Sequence, residues 1–385
     1  MHVDYFKIND LLSSDQKLLI ASVQDFVLKE VHPHIDRFAQ AHQPIPELIK
    51  NLGELGVLGP FIPSEYGGAG LDYLSYGLIM QELEAGDSAV RSAASVQSSL
   101  VMFPIFEFGS DEQKKKYLPG LASGDLVGAF GLTEPDHGSD PSSMGTRLTT
   151  TKGGYYLNGS KSWITNGGSC DVAIVWARDE LGKVRGVLLD KGMEGFDQKE
   201  ITNKWSLRAS ETGQLFFDQV FIAEDQLLPK VSSMKGPLSC LNSARFGIAW
   251  GAIGAAIDCY ETALKYALER KQFGKPIASY QLQQKKFAEM LTEITKAQLL
   301  AYRLAELKDR GIATPMQISM AKRNNVKMAL DVARESRQIL GAIGIMGEFS
   351  IMRHMMNLES VITYEGTHDI HLLITGQDIT GFNAF

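Results

Sequence analysis

Cysteine is scarce and poorly placed for cross-links: the chain holds three, Cys170, Cys240 and Cys259, odd in number and far apart. That pattern fits neither a disulfide framework nor a zinc ribbon, and buried thiols in a reducing compartment are the expectation. No apolar run approaches the roughly 20 residues that span a bilayer. The opening Met1-His-Val-Asp-Tyr5 has neither a basic region ahead of an apolar core nor an arginine-rich transit character. The expected location is the bacterial cytoplasm, or the mitochondrial matrix for a chain already cut to its mature form. Positive charge is also short: 38 basic against 45 acidic side chains leave a net −7. A general nucleic-acid binder, which needs a basic face, is therefore disfavoured.

What is present is an ordinary globular mixture, 44% hydrophobic and 22% charged over 385 residues, enough for two or three domains and several cores. Its texture changes twice. Ser14-Asp15 offers a cap ahead of Leu18, Leu19, Val23, Phe26, Val27 and Val31, which recur at helical spacing until Pro33. A second helix is expected over residues 45–55. A glycine-rich loop at residues 63–70 then precedes further helical patterns up to Leu121. From about Leu126, β-branched and aromatic runs at residues 155–157, 172–176, 184–189 and 215–221 alternate with turn signals at Asn158-Gly159, Asn166-Gly-Gly168 and Leu181-Gly182. From about Gly236, long helical patterns over 241–269, 279–309 and 316–340 suggest an antiparallel bundle. The division expected is a helical domain over 1–125, a β domain over 126–235 and a helical domain over 236–385.

Common cofactor motifs do not fit. No glycine fingerprint sits between a strand and a helix, and Gly274-Lys275 is followed by Pro276 rather than a P-loop hydroxyl. Gly341, Gly344 and Gly347 are as consistent with a helix end as with a binding loop. His368 and His371 lack a third convergent cluster, so no metal site is expected.

Three other segments draw attention together. Gly128-Ala-Phe-Gly-Leu-Thr-Glu-Pro-Asp-His-Gly-Ser-Asp140 is rich in small residues and hydroxyls and lies at the helical-to-β junction, where backbone amides can approach a planar or anionic ligand. Lys161-Ser-Trp-Ile-Thr-Asn166 places an aromatic wall beside a hydroxyl. Tyr364-Glu-Gly-Thr-His-Asp-Ile-His371 carries a carboxylate before a glycine. Each alone also reads as structure: a turn-rich loop, an edge strand, a helix start capped by Thr367.

In this order, and joined by Gln338-Ile-Leu-Gly-Ala-Ile-Gly-Ile345 and Arg270-Lys-Gln-Phe-Gly-Lys-Pro276, they resemble the acyl-CoA dehydrogenase family over essentially the whole chain. The resemblance implies a mainly α protein with a central β domain: an N-terminal helical domain, a β-barrel-like middle domain and a C-terminal four-helix bundle, assembled as a homotetramer. Residues 91–102, 240–251 and 357–385 are most similar to the branch of the family that acts on glutaryl-CoA.

Further implications come from that resemblance. Glu365 falls at the position of the base that removes an α-proton, with FAD as hydride acceptor and an electron-transfer flavoprotein as electron partner. A carboxylate with an ordinary pKa near 4.3 does this work only when desolvated and facing a stabilised enolate. Arg91 would hold a terminal carboxylate in bidentate fashion, with Ser92 adding a hydrogen bond. Glu84, two helical turns before Arg91, shares its face only if the segment between them stays helical. Tyr364 and Gly366 flank the base position, Ser139 points to the CoA arm, and Leu241, Asn242 and Arg245 would hold the pantetheine and phosphate arm. Phe130, Leu132, Thr133, Trp163, Ile164 and Thr165 would surround the isoalloxazine. Arg270, Gln272, Phe273, Gln281, Gln338, Gly341, Thr367, Asp369 and the terminal Phe385 would reach the rest of FAD, some across a subunit interface. Ala342 stands where many members carry a second glycine. Glu84 and Tyr364 match decarboxylating members, which yield crotonyl-CoA and CO2. A non-decarboxylating glutaryl-CoA enzyme, a short-chain acyl-CoA dehydrogenase, an oxygen-using oxidase and a flavin-bearing scaffold without turnover remain alternatives.

Overall fold

The computed structural model describes residues 3–385. The N-terminal part is built from α1 (Ser14–Phe26), α2 (Ile35–Ala41), α3 (Leu48–Glu54), α4 (Tyr73–Gly86), α5 (Ser88–Ser95), α6 (Phe103–Phe108) and α7 (Asp111–Ala122). Its first cap is Ser13, one residue earlier than expected: its side chain accepts from Gln16 N while Gln16 reaches back, a reciprocal cap that places Asp15 in the first turn. The second expected helix, over 45–55, is found as the shorter α3, which begins only at Leu48, and α2 precedes it where no helix was expected. A π-helical stretch, Val96–Met102, carries α5 into α6 without a break. Buried polar side chains on that stretch act as ties. Gln97 donates to Leu121 O (2.9 Å) and Leu126 O (2.7 Å) and accepts from Gly128 N (2.9 Å), fixing where the helical part hands over to the first strand.

The sheet follows: β1 (Gly128–Gly131), β2 (Arg147–Thr151), β3 (Gly154–Thr165), β4 (Val172–Arg178), β5 (Val184–Asp190), β6 (Phe196–Glu200) and β7 (Thr212–Ala223). β4 organises it, running parallel to β1 and, at Arg147 and Arg178, to β2, with antiparallel β5 on its other edge. Period-2 alternation decides which side chain goes where. Val172, Ile174 and Trp176 face the core shared with the helices, whereas Ala173, Val175 and Ala177 enter a second core under the opposite face. A strand buried on both faces reads as one apolar run, as this one does.

Asn158-Gly159 is not a turn, as the dipeptide signal suggested. It lies inside β3, where the pairing with β7 shifts register between Leu157 and Gly159. A tight hairpin turn of this kind needs positive φ at both central residues. Here only Gly159 adopts it, at 139°, and the pair forms a bulge.

The remainder is α8 (Lys235–Glu269), a hairpin of β8 (Lys271–Gln272) and β9 (Lys275–Pro276), α9 (Gln281–Asp309), α10 (Pro315–Leu340), α11 (Ile351–Val361) and α12 (His368–Thr380). α8 packs on both α10 and α4, so the two helical parts share one core. None of the described helices is long and apolar enough to cross a membrane.

Buried polar residues lock the junction of the three parts. Asp87, extended between α4 and α5, caps α5 through Ala89 N (2.7 Å). It also accepts from Arg353 and, at 2.9 Å, from Asn357 Nδ2. Asn357 Oδ1 in turn accepts from Leu207 N (2.9 Å) beyond the sheet. Asp87→Ala leaves the Arg353 guanidinium with only the half-exposed Asp36 as an acidic partner. Unfolding in urea is expected to show a loss of about 3–5 kcal/mol.

Candidate active site

Four segments converge on Glu365. α4 supplies Glu84 and Tyr76, α5 supplies Arg91, α8 supplies Arg245, and α10 supplies Lys322. The segment between Glu84 and Arg91 does not stay helical: Asp87 breaks it at φ −169° and ψ 146°. The two side chains nevertheless meet, Arg91 Nε donating to Glu84 Oε2 at 2.5 Å with both side chains essentially inaccessible. Ser88, the first residue after the break, adds a bond to Glu84 Oε1 at 2.8 Å. A Cβ at Gly251 would strike this carboxylate, so α8 carries glycine there. Arg91 also donates to the Tyr364 hydroxyl, and its guanidinium lies 5.7 Å from that ring's centre. Burial works against the guanidinium's charge, but Glu84 and Tyr364 outweigh it and hold the group above the ordinary arginine value. Burial pushes the Tyr364 hydroxyl up, with Arg91 opposing.

Glu365 lies in the turn between α11 and α12, with φ 53°, followed by Gly366 at φ 99°. Its Oε2 is buried without a hydrogen-bond partner. Burial raises its pKa above the usual carboxylate range, against the pull of Arg91, Lys322 and Arg245. A Cβ on Gly366 would press on His371 and Arg245, and the next residue, Thr367, caps α12 through Ile370 N at 3.3 Å, as expected. Arg245 Nε binds Glu365 O (2.7 Å), and Nη1 approaches Asn242 Oδ1 (3.4 Å). Its neighbour Leu241 is buried, as is Ser92 on α5.

The sheet contributes a second surface. Phe130 and Leu132 are buried, Phe130 packing edge-on to Trp176 with centroids 6.0 Å apart. Ser162 N binds Thr133 O (2.9 Å), which joins the end of β1 to the second bulge of β3. At that bulge Trp163 takes φ 64° and stands 63% exposed, flanked by buried Ile164 and half-buried Thr165. Beneath it Lys161 Nζ bridges Leu132 O (3.0 Å) and Glu134 Oε1 (2.8 Å). Glu134 also accepts from Thr146 N (2.9 Å) and Oγ1 (2.6 Å). An indole held off the sheet by a strained bulge suits a planar ring stacked against it.

Other expected contacts lie apart. Arg270, Gln272 and Phe273 sit on the exposed β8–β9 hairpin, with Phe273 94% exposed at φ 50°. Gln281, Gln338, Gly341, Asp369 and Phe385 are exposed as well, as is Ser139. Along α8 the hairpin lies roughly 37 Å from Arg245 at 1.5 Å per residue.

Sequence reasoning missed Lys322, His371, Tyr76 and the Lys161–Glu134 pair. Lys322 Nζ donates to Tyr364 O (3.0 Å) and Gly366 O (2.9 Å); burial draws its pKa below the ordinary lysine value, with Glu365 opposing. Burial, with Lys322 and Arg245 adding, takes His371 down to about 2, so its ring is neutral. Tyr76 shares its hydroxyl with Ser99 at 2.8 Å, and Ser243 joins at 3.2 Å, a polar wall within reach of the charges on Arg91 and Glu365.

A carboxylate kept basic by burial and acted on by a buried guanidinium is suited to abstracting a proton, and the sheet offers an exposed aromatic ring. Comparison with known proteins makes this specific. Profiles of the acyl-CoA dehydrogenase N-terminal, middle and C-terminal domains match residues 13–125, 129–220 and 234–380. The chain belongs to the acyl-CoA dehydrogenase family, and its three-part fold with a curled middle sheet is that family's. A glutaryl-CoA dehydrogenase from Mycobacterium smegmatis, solved in complex with FADH2, superposes with a TM-score of 0.98 at 47% identity, covering 100% of this chain and 99% of that one. An acyl-CoA dehydrogenase of Bacillus subtilis is 37% identical over 96% of this chain and 99% of its own length. A short-chain-specific acyl-CoA dehydrogenase of Megasphaera elsdenii is 35% identical, over 96% and 98% respectively.

The Glu134 carboxyl is held down at about 2: burial alone would raise it, but Lys161 and Thr146 prevail. The stability it contributes is therefore present above the ordinary glutamate value near 4.3 and lost as pH falls towards 2. In Glu134→Gln, acid unfolding followed by circular dichroism is expected to show a shallower dependence in that window. Stability at neutral pH should also be lower, because Lys161 is left buried without its anion.

Proposed function

We propose that the chain catalyses the FAD-dependent oxidative decarboxylation of glutaryl-CoA to crotonyl-CoA and CO2. The observation that carries this reading is the full burial of Arg91 within electrostatic reach of Glu365. A saturated apolar acyl chain has no use for a desolvated guanidinium, whereas a terminal carboxylate matches it. Glu84 and Tyr364 occupy two of its five N–H groups, which leaves the others for the ligand.

In this reading Glu365 removes the α-proton of the thioester, its basicity set by the opposition of burial and three cations. Its backbone amide stabilises the enolate oxygen as an oxyanion-hole donor. FAD, when bound, supplies the acceptor for the β-hydride. Phe130, Leu132, Thr133, Trp163, Ile164 and Thr165 would hold its ring system, and Arg270, Gln272, Phe273, Gln281, Gln338, Gly341, Thr367, Asp369 and Phe385 its distal parts. The distance along α8 favours contributions from two protomers, in keeping with the homotetramer that the family resemblance implies. Once the Cα=Cβ bond exists, the terminal carboxylate is vinylogous to that of a β-keto acid. Breaking the C–C bond to the carboxylate releases CO2 and leaves its electron pair in a dienolate. Glu365 then returns its proton to the terminal carbon. Ser92 adds a hydrogen bond to the terminal carboxylate beside Arg91; Leu241, Asn242, Arg245, Gly366 and Ser139 line the path of the thioester and its CoA arm, and electrons leave to an electron-transfer flavoprotein.

The short-chain relative supports a second reading, oxidation of an unbranched acyl-CoA without CO2 loss. Anaerobic titration with glutaryl-CoA and butyryl-CoA separates them: flavin bleaching with stoichiometric CO2 from glutaryl-CoA is expected, and faster turnover of butyryl-CoA without CO2 would sink the proposal. Arg91→Met should lose about 2–5 kcal/mol of transition-state stabilisation for glutaryl-CoA and far less for butyryl-CoA. Glu365→Gln should assemble and take up flavin as the unaltered protein does, yet fail to bleach it.

A further inference from the structure

The turn that carries Glu365 is held from behind by two cations. Lys322 binds the carbonyls of Tyr364 and Gly366, and Arg245 binds the carbonyl between them. Three successive peptide oxygens thus point at buried positive charge. Lys322 is 1% exposed and its hydrogen-bonding partners are main-chain carbonyls, a costly position for an ammonium. Nothing in helix packing alone calls for it, since a methionine of similar length would fill the space.

We propose that Lys322 is a positioning residue for the base: by clamping the carbonyls on either side of Glu365 it holds the left-handed turn and aims both the carboxylate and the backbone amide of Glu365 at the substrate. The inference rests on the reading of Glu365 as the base. Its logic is that of the trans peptide, in which the carbonyl of one residue and the N–H of the next point in opposite directions. Tying Tyr364 O to α10 therefore turns the Glu365 N–H away from α10, and tying Gly366 O does the same for Thr367. A non-glycine residue at φ 53° returns to a commoner conformation unless its surroundings hold it. The clamp also carries charge. Glu365 is faced by Arg91, Arg245 and Lys322, with Tyr364 and Tyr76 close by and Glu84 behind Arg91. His371 on α12 is neutral, and His368 is drawn the same way by burial. Removing Lys322 takes away one of the three cations that oppose the effect of burial on the base.

The test compares holoenzyme carrying Lys322→Met or Lys322→Gln with the unaltered protein. Backbone hydrogen–deuterium exchange, read by mass spectrometry on peptides covering residues 362–370, is expected to quicken in Lys322→Met while α8 and α9 exchange as before. The kcat should fall about 10²-fold with KM little changed, as for a misaimed group. The acid limb of the kcat/KM profile should move to higher pH in both variants, because each leaves the carboxyl with less positive charge nearby. Unchanged exchange at 362–370, or an acid limb that stays in place, overturns the proposal; so does exchange that rises equally throughout the bundle, the mark of a packing residue. If Lys322→Met does not fold, Lys322→Gln, which retains a donor without the charge, decides on the acid limb alone. Should Glu365→Gln still bleach the flavin, the base assignment fails while the exchange result stands. Should butyryl-CoA prove the better substrate, the same profiles recorded with it still report on Lys322.

Discussion

The carboxylate of Glu365 is set into the protein with its Oε2 unpaired, and three cations act on it through space without bonding to it. That balance organises the centre of the molecule. Burial alone would leave the group protonated and useless as a base, and the guanidiniums and ammonium alone would leave it too stable an anion to accept a proton. Arg91, Arg245 and Lys322 come from three helices distant in sequence, so the balance exists only when those helices are packed. Each cation has a second task that fixes it in place: Arg91 pairs with Glu84, Arg245 holds Glu365 O, and Lys322 holds the two flanking carbonyls. The electrostatics of the site and the integrity of its scaffold are one set of interactions.

The fold supplies the required rigidity through buried polar side chains rather than apolar bulk. Asp87 ends one helix and begins another, and by breaking the helix it brings Arg91 to Glu84 from a direction that a continuous helix would not give. Arg353 and Asn357 bind the same Asp87 from the C-terminal bundle. On the sheet side, Lys161 and Glu134 fix the strand ends that bear Thr133 and Trp163. These pairs are weak arguments for stability in themselves. Their value is geometric, since each holds a functional side chain in a conformation it would otherwise leave.

Much of this was readable in the chain, and the residues that escaped do so for a physical reason. The apolar run at 172–176 announces a strand buried on both faces, and Thr367 before α12 announces a cap. Residues at the functional segments reveal themselves by resemblance. Glu84 shows the limit of periodicity: pairing with Arg91 was expected only along an unbroken helix, and it is achieved across a break because Ser88 and Asp87 rebuild the turn. Asn158-Gly159 fails as a turn signal because the bulge needs a positive φ at glycine alone. Lys322 has no local signal at all. A lysine in an amphipathic helix reads as a solvated side chain, and only the arrival of the 364–366 turn buries it. His371 is hidden in the same way.

The Gln97 carboxamide uses both its donor and its acceptor on main-chain atoms of the crossing between the first helical part and the sheet. A crossing tied this way has no slack to act as a hinge. The aromatic surface on the sheet and the guanidinium on α5 are thereby referred to one another through a single side chain, which sets the spacing between them.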